Sequence, residues 1–255
     1  MQIPELLLTL KMRGAFEALE SFSGIQDKEE YARAILGSEH EYREQNMTKR
    51  RLSTARFPTE KEWDDFDPAL NPTIDISQVK SLSNGKFVDK KENLCILGTQ
   101  GTGKTHSLIA LGRLLCRKGY STRFYTACSL VNLLEEAKAQ NQLSRVMAQL
   151  LIPKLIIIDE LGFIPFSDNG ARLLFDVFAS RYERGSIAVT SNLAFTKWGQ
   201  IFGSVELTAA LVDRFTHRAH IFTYEGQSVR LKQAKQKQPT SRLKAPEENI
   251  AVVSV

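Results

Sequence analysis

Cysteine is scarce in this sequence. The chain of 255 residues holds three cysteines, Cys95, Cys116 and Cys128. Their number is odd and they lack the paired close spacing of a zinc site, which argues against both a disulfide framework and a structural metal. We expect all three to be reduced core residues.

Long apolar runs are absent as well. No segment approaches the length of a membrane span. The N-terminus, MQIPELLLTLKMRG, carries Glu5 within its short apolar run and has no small-residue cleavage site of a secretory signal. The default expectation is therefore a cytoplasmic location without membrane contact.

Only a small excess of charge of one sign is present. Lysine and arginine number 34 against 29 aspartate and glutamate residues, which gives a formal net charge of +5. The sequence pI is about 9.1. This balance is compatible with a polyanionic partner such as nucleic acid but does not require one.

Residues 1–56 predict a small N-terminal helical domain. Apolar residues recur there at helical spacing before a polar stretch of mixed charge; they are Leu6, Leu7, Leu10, Phe16 and Leu19. Residues 57–78 combine prolines, acidic residues and isolated aromatics without a period. That composition predicts an irregular connector.

Residues 79–232 alternate short apolar runs with helical segments. The runs NLCILG, STRFYTA, KLIIIDE, SIAVTSN and AHIFTY begin at residues 93, 121, 154, 186 and 219. Continuous apolar strands are buried on both faces, which predicts an α/β fold with a parallel sheet between helices. Residues 233–255 are rich in Lys, Gln, Pro and Ser and predict a disordered basic tail.

Residues 98–105 read GTQGTGKT, the complete pattern of a phosphate-binding loop (P-loop). The glycines let the backbone fold around phosphate oxygens, so that amide groups and a helix N-terminus point at the anion. We expect Lys104 to reach the β- and γ-phosphates and the Thr105 hydroxyl to ligate Mg²⁺. The predicted ligands are therefore ATP and Mg²⁺. The predicted nucleotide-binding residues are Gly98, Thr99, Gln100, Gly101, Thr102, Gly103, Lys104, Thr105 and His106.

An acidic pair, Asp159 and Glu160, ends the apolar run LIIIDE. A carboxylate at the end of a buried strand can hold the Mg²⁺ shell, and Asp159 is the candidate. Glu160 is placed to orient and polarise an attacking water. Alone, such a pair would be read as a solvated turn, but next to a P-loop it predicts hydrolysis.

The run SIAVTSN supplies a third group of polar residues at a strand end. Ligands gather at the carboxyl ends of strands in such folds. Asn192, or Thr190 beside it, is therefore a candidate hydrogen-bond donor to the γ-phosphate or the water. A strand that simply ends in turn residues is the alternative.

Together these motifs resemble the AAA+ ATPases, in the branch that contains the IstB transposition helpers and the DnaC helicase loaders. The resemblance to the IstB group is closer. It covers the chain from the N-terminal helices through Arg230 and rests on the strings GTGKTH, DELGFIPF, RYERGSIAVTSN, WGQIFG and LVDRF.

The resemblance implies roles for further residues. Asn192 would be the sensor-1 residue, and Arg214 in LVDRF would be the arginine finger offered to a neighbouring subunit, with Arg218 as a close competitor. Arg230 would be the sensor-2 arginine. Charge that develops on the γ-phosphoryl group needs such cationic donors.

Basic residues form two clusters that could contact phosphates without sequence preference. One precedes the connector and the other lies in and after the predicted helix that follows the P-loop; a solvated surface is an equal alternative for both. The clusters are Lys49, Arg50, Arg51 and Arg56, and Arg113, Arg117, Lys118 and Arg123.

The resemblance implies an ATP-dependent oligomer that binds duplex DNA without sequence preference, deforms it and directs a transposase to the target. A replicative helicase loader is the nearest alternative in the same fold. A small-molecule kinase is disfavoured by Glu160 next to Asp159 and by the absence of an obvious acceptor lid. A DNA-binding scaffold that uses nucleotide only as structure is the remaining alternative.

Overall fold

Five apolar segments form the strands of one sheet in the computed structural model, which describes residues 2–67, 75–163, 165–226 and 228–229. All neighbouring strands are parallel, in the order β2-β3-β4-β1-β5. The predicted α/β fold with a parallel sheet is confirmed. The strands are β1 (Asn93–Gly98), β2 (Thr122–Thr126), β3 (Leu155–Leu161), β4 (Ser186–Ser191) and β5 (Ala219–Tyr224).

Helices precede the sheet and connect its strands. Side-chain caps fix several helix starts: Thr126 accepts a hydrogen bond from the Ser129 N–H, and Ser167 accepts one from the Gly170 N–H. The helices before β1 are α1 (Ile3–Thr9), α2 (Arg13–Glu17), α3 (Lys28–Ala55), α4 (Ile76–Ser81) and α5 (Lys86–Asp89). Those after it are α6 (Lys104–Arg117), α7 (Ala127–Ala139), α8 (Leu143–Leu150), α9 (Asp168–Arg181), α10 (Gly199–Phe202) and α11 (Val205–Thr216).

Two apolar cores lie on the two faces of the sheet. Side chains of β3 alternate between them, because successive residues of a strand point to opposite faces. Ile156 and Ile158 join residues of α7, α9 and α11, whereas Leu155 and Ile157 join residues of α4, α5 and α6. This burial on both faces is what the continuous apolar runs predict.

The N-terminal residues are helical, but their apolar stripe is not buried in this chain. Leu7 is 5% exposed, whereas Leu6, Leu10 and Phe16 are 39%, 56% and 38% exposed. The polar stretch that follows forms the 28-residue helix α3. Buried Glu39 of α3 accepts hydrogen bonds from the backbone N–H groups of Gly14 and Ala15 in α2. The polar helix α3 is thereby bonded to the N-terminal helices.

The end of α3 packs against α6 and β2. Arg123 of β2 donates a 2.6 Å hydrogen bond to the carbonyl of Thr54, and the rings of Phe57 and Phe124 lie 6.1 Å apart. Helix α3 therefore covers the edge strand β2 and brings the N-terminal helices into contact with the sheet.

The cysteines are free, but they differ in burial. Cys95 and Cys116 are buried, as expected of core residues, and burial raises the pKa of both thiols. The same expectation is wrong for Cys128, which lies on the solvent-facing side of the first turn of α7. Within the described ranges, no helix has the length and apolar character needed to cross a membrane.

Candidate nucleotide-binding site

A cleft with a volume of about 610 Å³ opens at the carboxyl ends of the strands. That volume is within the usual range for small-molecule sites. Gly101 to His106 form one wall, the strand-end residues Thr126, Asp159 and Glu160 form another, and residues of the connector complete it.

The P-loop joins β1 to α6 and depends on backbone conformations that favour glycine. Gly98, Gly101 and Gly103 have φ angles of 138°, 75° and 98°. A Cβ atom on Gly98 would lie 2.0 Å from the carbonyl oxygen of Tyr224 in the neighbouring strand. Any side chain at this position would displace the strand or the loop.

The side chain of Lys104 folds back over its own loop. Its Nζ donates hydrogen bonds to the carbonyls of Gly98, at 2.9 Å, and Thr99, at 2.6 Å. The hydroxyl of Thr102 donates to the same Thr99 carbonyl at 2.9 Å. The loop is thus already curled around the ammonium group that is expected to meet the phosphates.

Thr105 and Asp159 are in direct contact. The Thr105 hydroxyl, in the first turn of α6, donates a 2.9 Å hydrogen bond to Oδ1 of Asp159. Asp159 is only 3% exposed, and burial raises the pKa of its carboxyl against the opposing effect of hydrogen bonds from Thr190 and Thr105. A hydroxyl and a buried carboxylate side by side are a donor set that suits Mg²⁺, so the residues fit the predicted metal.

Glu160 follows Asp159 at an irregular point of β3. It has a φ angle of 61°, and it is exposed although the residues on both sides of it are buried. Its backbone N–H donates a 2.9 Å hydrogen bond to the hydroxyl of Thr190 in β4. Both acidic residues line the cleft.

The two candidates in β4 and after it have different environments. Thr190 is buried and its hydroxyl donates to Oδ1 of Asp159 at 2.5 Å. Asn192 lies one residue beyond β4 and is exposed. Asp159 and Glu160, which are hydrogen-bonded to Thr190, line the cleft, whereas Asn192 is not among the cleft residues in the described part of the chain.

The candidate arginine finger lies far from the P-loop of its own chain. Arg214, near the end of α11, and Arg218 are both exposed. They line a separate small pocket together with Asn93, the first residue of β1, and Ile187, the second residue of β4. This is the amino-terminal end of the parallel strands, opposite the cleft. Arg230, the predicted sensor-2 residue, lies outside the described residues.

The connector forms a wall of the cleft, which the sequence did not reveal. The ring of Phe66 packs edge-on against His106, and a Cβ on Gly103 would lie 2.7 Å from it. The ring Nε2 of His106 is 2.8 Å from the carbonyl oxygen of Glu62. The predicted nucleotide-binding residue His106 therefore contacts the connector.

Glu62 also holds the connector to α6 through its carboxylate. Arg113 and Arg117 bind it at 2.6 Å and 2.5 Å. Hydrogen bonds from Arg117, more than any other contact, lower the pKa of the carboxyl. The sequence held one weak signal for this contact, two arginines four residues apart on the helix that follows an acidic connector.

Most of the second basic cluster is thus engaged within the chain. Arg113 and Arg117 bind Glu62, and Arg123 binds the Thr54 carbonyl. These contacts explain the three arginines without a polyanion. Lys49 and Arg50, in the first cluster, are exposed on α3.

A family model described as IstB-like ATP binding protein matches residues 6–237. The chain is 38% identical over 182 residues to the insertion sequence IS5376 putative ATP-binding protein of Geobacillus stearothermophilus, which covers 71% of this chain and 72% of that protein. It is 37% identical over 204 residues to the insertion sequence IS21 putative ATP-binding protein of Pseudomonas aeruginosa, and the matched region covers 80% of this chain and 77% of that protein.

The fold is also found among solved structures. A crystal structure of the DnaC helicase loader matches with a TM-score of 0.51 and 17% identity, over 69% of this chain and 99% of that one. At this identity the likeness concerns the fold alone. With a P-loop, a strand-end carboxylate and a family match over most of its length, the chain is an AAA+ ATPase that belongs to the IstB-like ATP binding protein family.

Proposed function

We propose that this protein is an ATP-dependent helper of transposition that oligomerises on duplex DNA, remodels it and delivers it to a transposase. ATP hydrolysis is the switch between its states. The observation that carries the proposal is the pairing of Thr105 with Asp159 at the P-loop, in a chain whose candidate finger Arg214 lies at the other end of the sheet.

Nucleotide binding uses the P-loop. The amides of residues 98–105 and the N-terminus of α6 surround the phosphates. Lys104 exchanges the carbonyls of Gly98 and Thr99 for β- and γ-phosphate oxygens. The hydroxyl of Thr105 and the carboxylate of Asp159 would hold Mg²⁺, which would neutralise charge on the phosphates.

Hydrolysis requires a polarised water next to the γ-phosphate. Glu160 is exposed at the cleft, so its carboxylate can accept a proton from that water. Asn192 is proposed to sense the γ-phosphate from the end of β4, and Arg230 to contact it as the sensor-2 arginine. A second copy of the chain must then supply one further cation to this nucleotide in trans.

The trans partner is Arg214. Because it lies at the opposite end of the strands from its own P-loop, it is available to a nucleotide held by another subunit. An arginine finger supplied in trans makes hydrolysis depend on assembly. ATP then bridges subunits, and its loss releases them.

DNA and the transposase are the proposed partners. The two relatives named above are putative ATP-binding proteins of insertion sequences, and a transposase is the natural partner for a helper in that context. Lys49 and Arg50 on α3, together with the predicted basic tail, offer charges for sequence-independent phosphate contacts.

Electron microscopy of the protein with duplex DNA and a slowly hydrolysed ATP analogue tests this function. We expect a ring or spiral on DNA that ADP does not support, and ATP turnover that rises when DNA and the cognate transposase are present. Co-purification with a hexameric helicase in place of the transposase would overturn the proposal in favour of a helicase loader. Absence of turnover with both partners present would instead favour a DNA-binding scaffold.

A further inference from the structure

Strand β3 carries one residue more than its neighbour β4 at the cleft. Ile158 pairs with Val189, and the next pair is Leu161 with Ser191. Asp159 and Glu160 therefore oppose a single residue, Thr190. Such a bulge interrupts the ladder and re-aims the side chains of the strand that contains it.

The hydroxyl of Thr190 bridges the two residues of the bulge. It accepts a 2.9 Å hydrogen bond from the backbone N–H of Glu160 and donates one of 2.5 Å to Oδ1 of Asp159. A hydroxyl has one proton and two lone pairs, so it can make both bonds at once. Thr190 is 1% exposed, and water has no access to replace it.

The bulge changes where Glu160 points. In a regular strand the side chains of Asp159 and Glu160 would face opposite sides of the sheet. Here both line the cleft, with Asp159 buried at its base and Glu160 exposed. The bulge interrupts the ladder at Glu160, and the hydroxyl of Thr190 accepts the hydrogen bond of the Glu160 amide in place of a backbone carbonyl.

Ser191 secures the other end of the bulge. Its hydroxyl donates a 2.6 Å hydrogen bond to the carbonyl of Leu161, where regular pairing resumes. Two consecutive hydroxyl side chains of β4 thus hold the irregular turn of β3. Of these, Thr190 alone contacts Asp159.

We propose that Thr190 is a positioning residue for hydrolysis, which orients the carboxylate of Asp159 toward Mg²⁺ and directs Glu160 to the attacking water. This inference rests on the roles proposed for Asp159 and Glu160. It differs from a direct contact of Thr190 with the γ-phosphate, because the hydroxyl proton is already donated to Asp159.

Three variants of the full chain test the inference. Thr190→Val removes the hydroxyl and retains the shape, and Thr190→Ser restores the hydroxyl. Thr122→Val is the matched control, since Thr122 is 3% exposed at the start of β2, outside the cleft residues. The measurements are kcat, KM for ATP, and the Mg²⁺ concentration that half-saturates binding of a fluorescent ATP analogue.

For Thr190→Val we expect kcat to fall about 10- to 100-fold and the half-saturating Mg²⁺ concentration to rise about 10-fold. KM for ATP should stay within about 3-fold, because the P-loop is intact. Thr190→Ser and Thr122→Val should stay within about 3-fold of wild type in every measurement. Circular dichroism and thermal melting confirm that each variant is folded.

Two results would overturn the positioning role. One is unchanged kcat and Mg²⁺ dependence in folded Thr190→Val, and the other is equal impairment of Thr190→Ser, which would assign the effect to packing of the methyl group. Failure of the proposed function gives a different result, namely no ATP turnover in the wild type with DNA and transposase. The Mg²⁺ dependence of analogue binding would still decide the role of Thr190 in that case.

Discussion

The hydroxyl of Thr105 lies 2.9 Å from Oδ1 of Asp159, to which it donates a hydrogen bond across 54 positions of sequence. This contact aligns the first turn of α6 with the end of β3 before any phosphate is present. Lys104 has to exchange partners when nucleotide binds, because its ammonium group is bonded to the loop carbonyls. Much of the cost of ordering the site is therefore met in the fold.

Lys104→Ala should weaken nucleotide binding severely. The ammonium group is the cation proposed to meet the β- and γ-phosphates, and a lost charge-assisted contact of this kind weakens affinity by about 100-fold. Fluorescence titration with an ATP analogue measures the effect. Lys118→Ala is the control, because Lys118 is exposed at the other end of α6. Wild-type affinity in Lys104→Ala would contradict the binding mode.

Glu160→Gln should bind ATP normally and trap the ATP state. Loss of the general base lowers kcat by about 10²- to 10⁴-fold, whereas the P-loop contacts remain. Single-turnover kinetics separate binding from hydrolysis. Glu30→Gln is the control, since Glu30 is an exposed glutamate of α3 and is not among the cleft residues. Normal turnover in Glu160→Gln would disprove the assignment of the base.

Arg214→Ala should leave nucleotide binding by single subunits intact and lower hydrolysis in assemblies by about 10³-fold or more. A mixing experiment tests whether the residue acts in trans. Lys104→Ala subunits retain Arg214, so adding them to Arg214→Ala subunits should restore part of the turnover. No recovery on mixing would contradict a finger in trans, and unchanged turnover of Arg214→Ala alone would point to Arg218.

Asp159→Asn should stabilise the ligand-free protein by about 1 kcal/mol while it abolishes Mg²⁺-dependent turnover. Burial raises the pKa of Asp159, so the folded state holds this proton more tightly than the unfolded state. The ionised carboxylate therefore costs stability above that pKa, and the cost disappears as the pH falls through it. Thermal unfolding of both proteins between about pH 4 and 8 measures the difference. If the stability gain of Asp159→Asn did not shrink at low pH, the gain would not come from the buried ionised carboxylate.

Glu62→Gln should destabilise the protein by about 1–3 kcal/mol, because Arg113 and Arg117 lose a charged partner. The pKa of Glu62 is lowered, so its contribution is present above the ordinary glutamate pKa and is lost as the pH falls through the folded value. Glu17→Gln is the control, since the Glu17–Arg13 pair is largely exposed and screened by solvent, so its loss should change stability little. Denaturant unfolding compares the two variants. Equal stability of both would show that the connector is held by other contacts.

Features that depend on local pattern could be predicted from the sequence. The five apolar runs predicted the strands, with β5 matching AHIFTY residue for residue, and the residues singled out as Mg²⁺ ligands, Thr105 and Asp159, lie in direct contact. These succeed because burial on both faces and glycine-rich phosphate loops impose strong local requirements.

Features that depend on contacts between distant segments could not be predicted. The bulge at Glu160 arises from the register of two strands, and the contact of Glu62 with α6 joins residues 51 positions or more apart. The apolar residues of α1 lie on a helix, but most of them are exposed in this chain. Periodicity predicts an apolar stripe along a helix but does not identify the surface that would cover it. Arg230 and the predicted tail lie outside the described residues.

The position of β1 in the sheet also has a consequence for biosynthesis. In the described sheet β1 lies between β4 and β5, so Cys95 must wait for Val189 to leave the ribosome, a span of about 90 residues or roughly 5–20 s of translation. Strands β2 and β3 pair with each other earlier. The strand that carries the P-loop is thus completed late, and nascent chains that end before β4 have no framework on which ATP could assist folding.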